Sequence, residues 1–205
     1  MAEQVAKLKK KQWYHILAPS QFNNVIIGET LAFEPKAMMG KTLSHSLMNL
    51  TNDIKRQNIN IHFKIVEIDG DKAKTSITGY EIVPYSVKRF VRRNSNKIDM
   101  SFTCETADNV LLRLKPLMVT KADVKGSVGA KLRSYAKSYL EKTIKKIKYD
   151  EVISDLISHK LQSTAKEYLN KVYPLKICEI RYLGIEPEEK SYEAKAESQE
   201  QQQNI

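Results

Sequence analysis

INIHFKIVEIDGDKAKTSITG, residues 59–79, decides the architecture. Ile59, Ile61, Phe63 and Ile65 fall on one side of an alternating pattern, with Asn60, His62 and Lys64 on the other. Period two with one apolar side predicts a strand that buries one face. Asp69-Gly70-Asp71-Lys72 then supplies a turn, so Ala73–Gly79 returns as the second strand of a hairpin.

Toward the N-terminus the pattern is also extended, through Trp13-Tyr14-His15-Ile16-Leu17, Val25-Ile26-Ile27 and Thr30-Leu31-Ala32-Phe33. Breaks at Ala18-Pro19 and Gly28 fit strand ends or a bulge. Residues 41–52 are ambiguous: Leu43, Leu47 and Leu50 have helical spacing, yet the segment is rich in Ser, Thr and Asn. Downstream, Ile98–Glu105 pairs with Val110–Val119 across Thr106-Ala107-Asp108-Asn109 as a second hairpin. Between the hairpins, PYSVKRFVRRN starts with proline in a first-turn position and reads as a short basic helix.

From Lys121 the period changes to 3.6. Leu132, Ala136, Tyr139, Leu140, Thr143 and Ile147 line one side of a helix. A second helix, capped by Asp150, carries Val152, Ile153, Leu156, Ile157, Leu161, Ala165, Tyr168, Leu169 and Val172 before Pro174 ends it. A last strand covers Ile177–Leu183. The fold class is therefore α+β: an antiparallel sheet or partly closed β-barrel of about six or seven strands, flanked by two long C-terminal helices and the short basic helix.

The formal net charge of +10 is unevenly distributed. The last twenty residues contribute −4, which leaves +14 on the first 185. Such a field favours a polyanion as partner. No apolar run approaches the roughly eighteen residues of a membrane span, and the opening residues lack the apolar region of a secretory signal. Cys104 and Cys178 read as packed thiols in a reducing compartment, and a cytoplasmic location is expected.

No catalytic template fits. His15, His45, His62 and His159 are scattered, without metal-ligand spacing, and read as surface or strand residues; CxxC, HExxH and GxSxG are absent. Asp150 and Glu151 adjoin on a helix and so do not face each other; they suit its positive N-terminal end. The chain is expected to be no enzyme, to need no cofactor or metal, and to take no small-molecule substrate. Lys125-Gly126-Ser127-Val128-Gly129-Ala130-Lys131 has too short a glycine gap for a Walker loop. The gap matches the GxxG clamp of KH domains, although that clamp sits between helices and here a strand precedes it. A glycine-containing turn opening a lysine-rich helix suits a phosphate, and plain helix capping is the alternative.

Three one-sign clusters are the stronger signal. From Lys125 to Lys148 the only acid is Glu141, against Lys125, Lys131, Arg133, Lys137, Lys142, Lys145, Lys146 and Lys148. Solvated helix surfaces normally mix signs. Lys88, Arg89, Arg92 and Arg93 form a second cluster, and Lys7, Lys9, Lys10 and Lys11 a third. No aromatic pair sits on alternating strand positions in the manner of an RNA-recognition motif, so backbone and shape binding is expected. Trp13 reads as a core or edge residue in preference to a base-stacking one.

The ordered set Trp13-Tyr14, Ala18-Pro19, Phe22, Gly28, Thr30-Leu31, Leu111-Leu112-Arg113-Leu114, Thr120-Lys121 and Tyr173-Pro174-Leu175 resembles the small-subunit ribosomal proteins of the S-one-e (S-three-A-e) family. The resemblance covers residues 12–182 in collinear order, and the short basic arm makes it archaeal-type. It implies a β-barrel flanked by helices and a structural constituent of the small ribosomal subunit. Members sit on the platform near the mRNA exit and the 3′ end of the small-subunit rRNA. Expected partners are that rRNA, neighbouring ribosomal proteins and, near the exit, mRNA; no membrane is involved. The chain then divides into a basic arm (1–12), a single α+β rRNA-binding domain (13–184) and an acidic, Gln/Glu-rich disordered tail (185–205). A free RNA-binding regulator or ribosome-assembly factor is the alternative.

Overall fold

Alternation along the first strand decides which N-terminal residues reach the core. In the computed structural model, which describes residues 10–186, β1 (Gln12–Leu17) turns Tyr14 and Ile16 inward. Trp13 must then point outward, and it is 61% exposed opposite Leu31, so of the core and edge placements expected the core one does not hold. The expected arm falls outside the described residues apart from its last three, and the expected tail apart from its first two. The described residues divide into two compact units, residues 10–78 and 79–186.

In the first unit β2 (Ile26–Ala32) runs antiparallel to β1. The register shifts where Ile16 faces Gly28 and Leu17 faces Ile26, which is the bulge expected at Gly28. The ambiguous segment resolves into a strand and one helical turn: β3 (Thr42–Ser46) leads into α1 (Leu47–Thr51), ended by Asn52 in the left-handed region at φ 54°. β4 (Ile59–Asp69) pairs with β3 and buries Ile59, Ile61, Phe63 and Ile65, as its alternation requires. Gly70, at φ 58°, makes the turn into β5 (Lys72–Ile82). The start of β5 lies parallel to β1, with His15 facing Lys72, and Thr75 Oγ1 donates to Leu17 O at 2.8 Å. Tyr14, Ile16, Ala32, Met38, Ile65 and Ala73 form the unit's core cluster. Each large side chain so buried contributes about 1.5–3 kcal/mol.

β5 enters the second unit, where Gly79–Glu81 pair with β9 (Leu175–Ile185). The elements between are α2 (Pro84–Phe90), β6 (Lys97–Asp99), β7 (Phe102–Glu105), β8 (Leu111–Thr120), α3 (Gly126–Ile144), α4 (Tyr149–Ile157) and α5 (Lys160–Asn170). β8 is central, flanked by β6 and β7 on one side and β9 on the other. Pro116 has no N–H to give a central strand, and the β8–β9 register shifts at Lys115/Pro116 accordingly. Cys104 and Cys178 are both buried and unpaired, and burial pushes each thiol up to about 12.

The fold is α+β, with nine strands and five α-helices among the described residues. The two strands beyond the expected number are β3 and the separation of β6 from β7. The parallel β1–β5 pair makes the strand pairing of the first unit mixed, while the strand pairs of the second unit are antiparallel. The second C-terminal helix is interrupted: His159 takes φ 59° and divides α4 from α5. Leu156 O accepts from both His159 N and the buried Gln162 Nε2, so the interruption leaves that carbonyl satisfied. Asp150 is not the cap. It lies in the first turn of α4, and Asp108 of the β7–β8 turn accepts from Tyr149 N at 3.2 Å instead.

Candidate nucleic-acid interface

Lys7 and Lys9 lie outside the described residues. Lys10 and Lys11 are exposed at the start of the first unit, and the Lys11 ammonium lies 5.1 Å from the centre of the Phe33 ring. The other expected basic residues belong to the second unit, where the structure sorts them into two groups.

The first group surrounds the N-terminus of α3. Lys125 is extended at the N-cap and offers no side-chain bond to the first amides, and Gly126 starts the helix directly after it. A cavity of about 250 Å³ opens there, lined by Ser95, Asn96, Lys97, Lys125, Gly129 and Arg133 among others. Asn96 holds the loop in place by donating from Nδ2 to Val124 O at 2.9 Å, while Thr120 Oγ1 accepts from Asn96 N at 2.9 Å. A Cβ added at Gly126 or Gly129 would meet nothing within 4 Å. Neither glycine is therefore demanded by packing within the chain.

Lys97 also borders a neighbouring cavity of about 340 Å³, with Lys88, Lys115, Arg181 and Tyr182 in its lining. Lys115 sits 4.7 Å from the centre of the Tyr182 ring. Glu81 also lines this cavity, and Asp99 lies among the cations, ion-paired to Lys97 and 3.9 Å from Arg181, so two acids stand against Lys88, Lys97, Lys115 and Arg181. Arg89 stacks over Tyr85 at 5.2 Å, and Arg92 and Arg93 follow α2 in an exposed turn.

Lys97, Lys115 and Arg181 were not foreseen from sequence. They stand singly on three different strands, and only the registers of β6–β8 and β8–β9 bring them together. No local cluster marks them.

The second group runs along α3. At 3.6 residues per turn, Lys131, Tyr135, Ser138 and Lys142 form one stripe, and Lys145 and Lys146 follow just past the helix end. All four lysines are exposed. Arg133 and Lys137 point to another side of the helix, where Lys137 lies 3.8 Å from Glu141. Lys142, Lys145, Lys146 and Lys148 crowd the C-terminal end, where the helix dipole favours cations. The lysine-rich helix thus divides into a partly neutralised side and a purely cationic one.

The chain is similar to known proteins over most of its length. A family model described as the Ribosomal S3Ae family matches residues 2–186. A small ribosomal subunit protein eS1 of Nanoarchaeum equitans is 30% identical over 185 residues, covering 90% of this chain and 93% of the relative. Its counterpart in Methanobrevibacter smithii is 33% identical over 172 residues, covering 84% and 89%. That of Desulfurococcus amylolyticus is 30% identical over 174 residues, covering 85% and 82%.

Proposed function

The chain belongs to the Ribosomal S3Ae family, and from that premise we propose that it is a structural, non-catalytic constituent of the small ribosomal subunit in the cytoplasm. It binds small-subunit rRNA by neutralising phosphates, on the platform near the mRNA exit, beside other ribosomal proteins and within reach of mRNA. The observation that carries the rRNA contact is the division of α3, whose Lys131–Lys142 stripe, followed by Lys145 and Lys146 past the helix end, holds no acid. Uncompensated cations on a folded surface repel one another, and a polyanion relieves that repulsion. The cavities around Lys97 add a second set of cations next to exposed helix-start amides, a suitable seat for a phosphate.

Occupancy tests the structural role. After a high-salt wash and gradient sedimentation, quantitative blotting should find the protein near one copy per small subunit. Release into the light fractions would favour a free RNA-binding regulator or assembly factor.

Gly129 separates binding from folding. Gly129→Ala relieves the entropic cost of a helical glycine and meets no steric obstacle, so the free protein should gain about 0.5–1 kcal/mol in thermal unfolding. The same methyl group intrudes where an RNA backbone would approach, and rRNA affinity should fall. Unchanged affinity would remove the α3 N-terminus from the interface.

A further inference from the structure

The C-terminal half of α3 faces α5 across a cavity of about 460 Å³, lined by Ser138, Tyr139, Lys142, Thr143, Lys146, Ile147 and Tyr168. The Tyr139 and Tyr168 rings are stacked, with centroids 4.6 Å apart and planes within 19°. Tyr139 is half-buried in the pair, while Tyr168 remains 37% exposed, as does Tyr135, one turn before Tyr139, at 46%. Lys142, on the acid-free side of α3, and Lys146, just past the helix end, border the same cavity. A solvated helix surface has no need for two parallel aromatic rings and two lysines lining one cavity. A ligand that is flat on one side and anionic on the other does.

We propose that this cavity receives one unpaired base of single-stranded RNA, stacked on the exposed ring of Tyr168, with its flanking phosphates on Lys142 and Lys146. The inference rests on the rRNA-binding reading and adds a strand preference to it. In an A-form duplex every base face is already covered by its neighbours, and the deep groove hides the base edges. Only an unpaired base can offer a ring face to tyrosine. The stacking is indifferent to base identity, so the site selects strandedness rather than sequence. The lysine stripe continues from Lys142 past Tyr135 to Lys131, about 16 Å along the helix axis, and gives the adjoining backbone a track.

The test uses the full chain with two probes of equal length, a single-stranded oligoribonucleotide carrying one 2-aminopurine and its duplex. The wild type should quench the 2-aminopurine of the single strand on binding. Tyr168→Leu should abolish the quench and lower single-strand affinity about 5- to 100-fold, the span of one base–aromatic stack, while duplex affinity stays the same. Tyr168→Phe keeps the ring and should restore both the quench and the affinity, which separates a missing stack from a failure to fold. Wild-type binding without quenching, or an equal weakening on both probes, would overturn the proposal and leave the rRNA reading standing. Failure of the wild type to bind either probe would sink both.

Discussion

Reversal of Lys131, Lys142 and Lys145 to glutamate should lower affinity for small-subunit rRNA by about two to three orders of magnitude near 0.15 M salt. It should also flatten the log–log salt dependence by roughly 2 to 3, at about 0.7–0.9 for each phosphate no longer neutralised. The three side chains fall within about 60° of arc on α3, so a single RNA backbone can meet all of them. Lys137 belongs to the lysine-rich run in sequence but not to this stripe, and Glu141 lies 3.8 Å from its ammonium. Lys137→Glu alone should therefore change the slope little. All three reversed residues are exposed, so the fold should survive. The two changes near the helix C-terminus cost about 0.3–1 kcal/mol each through the dipole. Filter binding over a salt series, with thermal unfolding in parallel, checks both effects. An unchanged slope in a folded triple variant would remove α3 as a phosphate surface.

The contrast between Lys137 and its neighbours shows where sequence reading stops. Composition identified the cationic run from Lys125 to Lys148, but which cations are free depends on the turn of the helix and on where Glu141 points. Lys97, Lys115 and Arg181 were harder still, since each is an isolated cation on a strand until the β8–β9 register sets Lys115 opposite Tyr182. The fold was more legible because its signals are local. Period two across Ile59–Ile65, the Asp69–Lys72 turn and Pro84 at a helix start all act within a few residues. The parallel β1–β5 pair escaped because nothing in either strand encodes its partner. So did the break at Ser158-His159, where no glycine or proline interrupts the apolar stripe and a histidine takes the left-handed position. For Trp13 a core and an edge placement both fit the sequence, and alternation with the buried Tyr14 sends the indole outward.

Glu179→Gln should stabilise the protein above pH 7 by up to about 3 kcal/mol and leave it unchanged below pH 4.5. Glu179 lies on β9 opposite Leu117, with its side chain 22% exposed. Its Oε2 is buried, finds no hydrogen-bond donor among the described residues, and is 3.7 Å from His159 Nδ1 at the α4–α5 break. Burial pushes its pKa from 4.5 up to about 7, against the opposing pull of Lys166 on α5. The folded chain thus keeps this proton to near pH 7, whereas the unfolded chain releases it near 4.5. Between those values the folded state binds more protons, so the contribution is fully present below pH 4.5 and is lost as pH rises toward 7. Glutamine fills the same volume and has no proton to lose, so its stability should stay flat where the wild type declines. Urea unfolding at pH 5 and pH 8 measures the difference. A glutamine variant less stable than wild type at pH 8 would show that the carboxylate is charged in the fold and held by His159 or Lys166. The break between α4 and α5 would then be fixed by an ion pair rather than by the Gln162 bond alone.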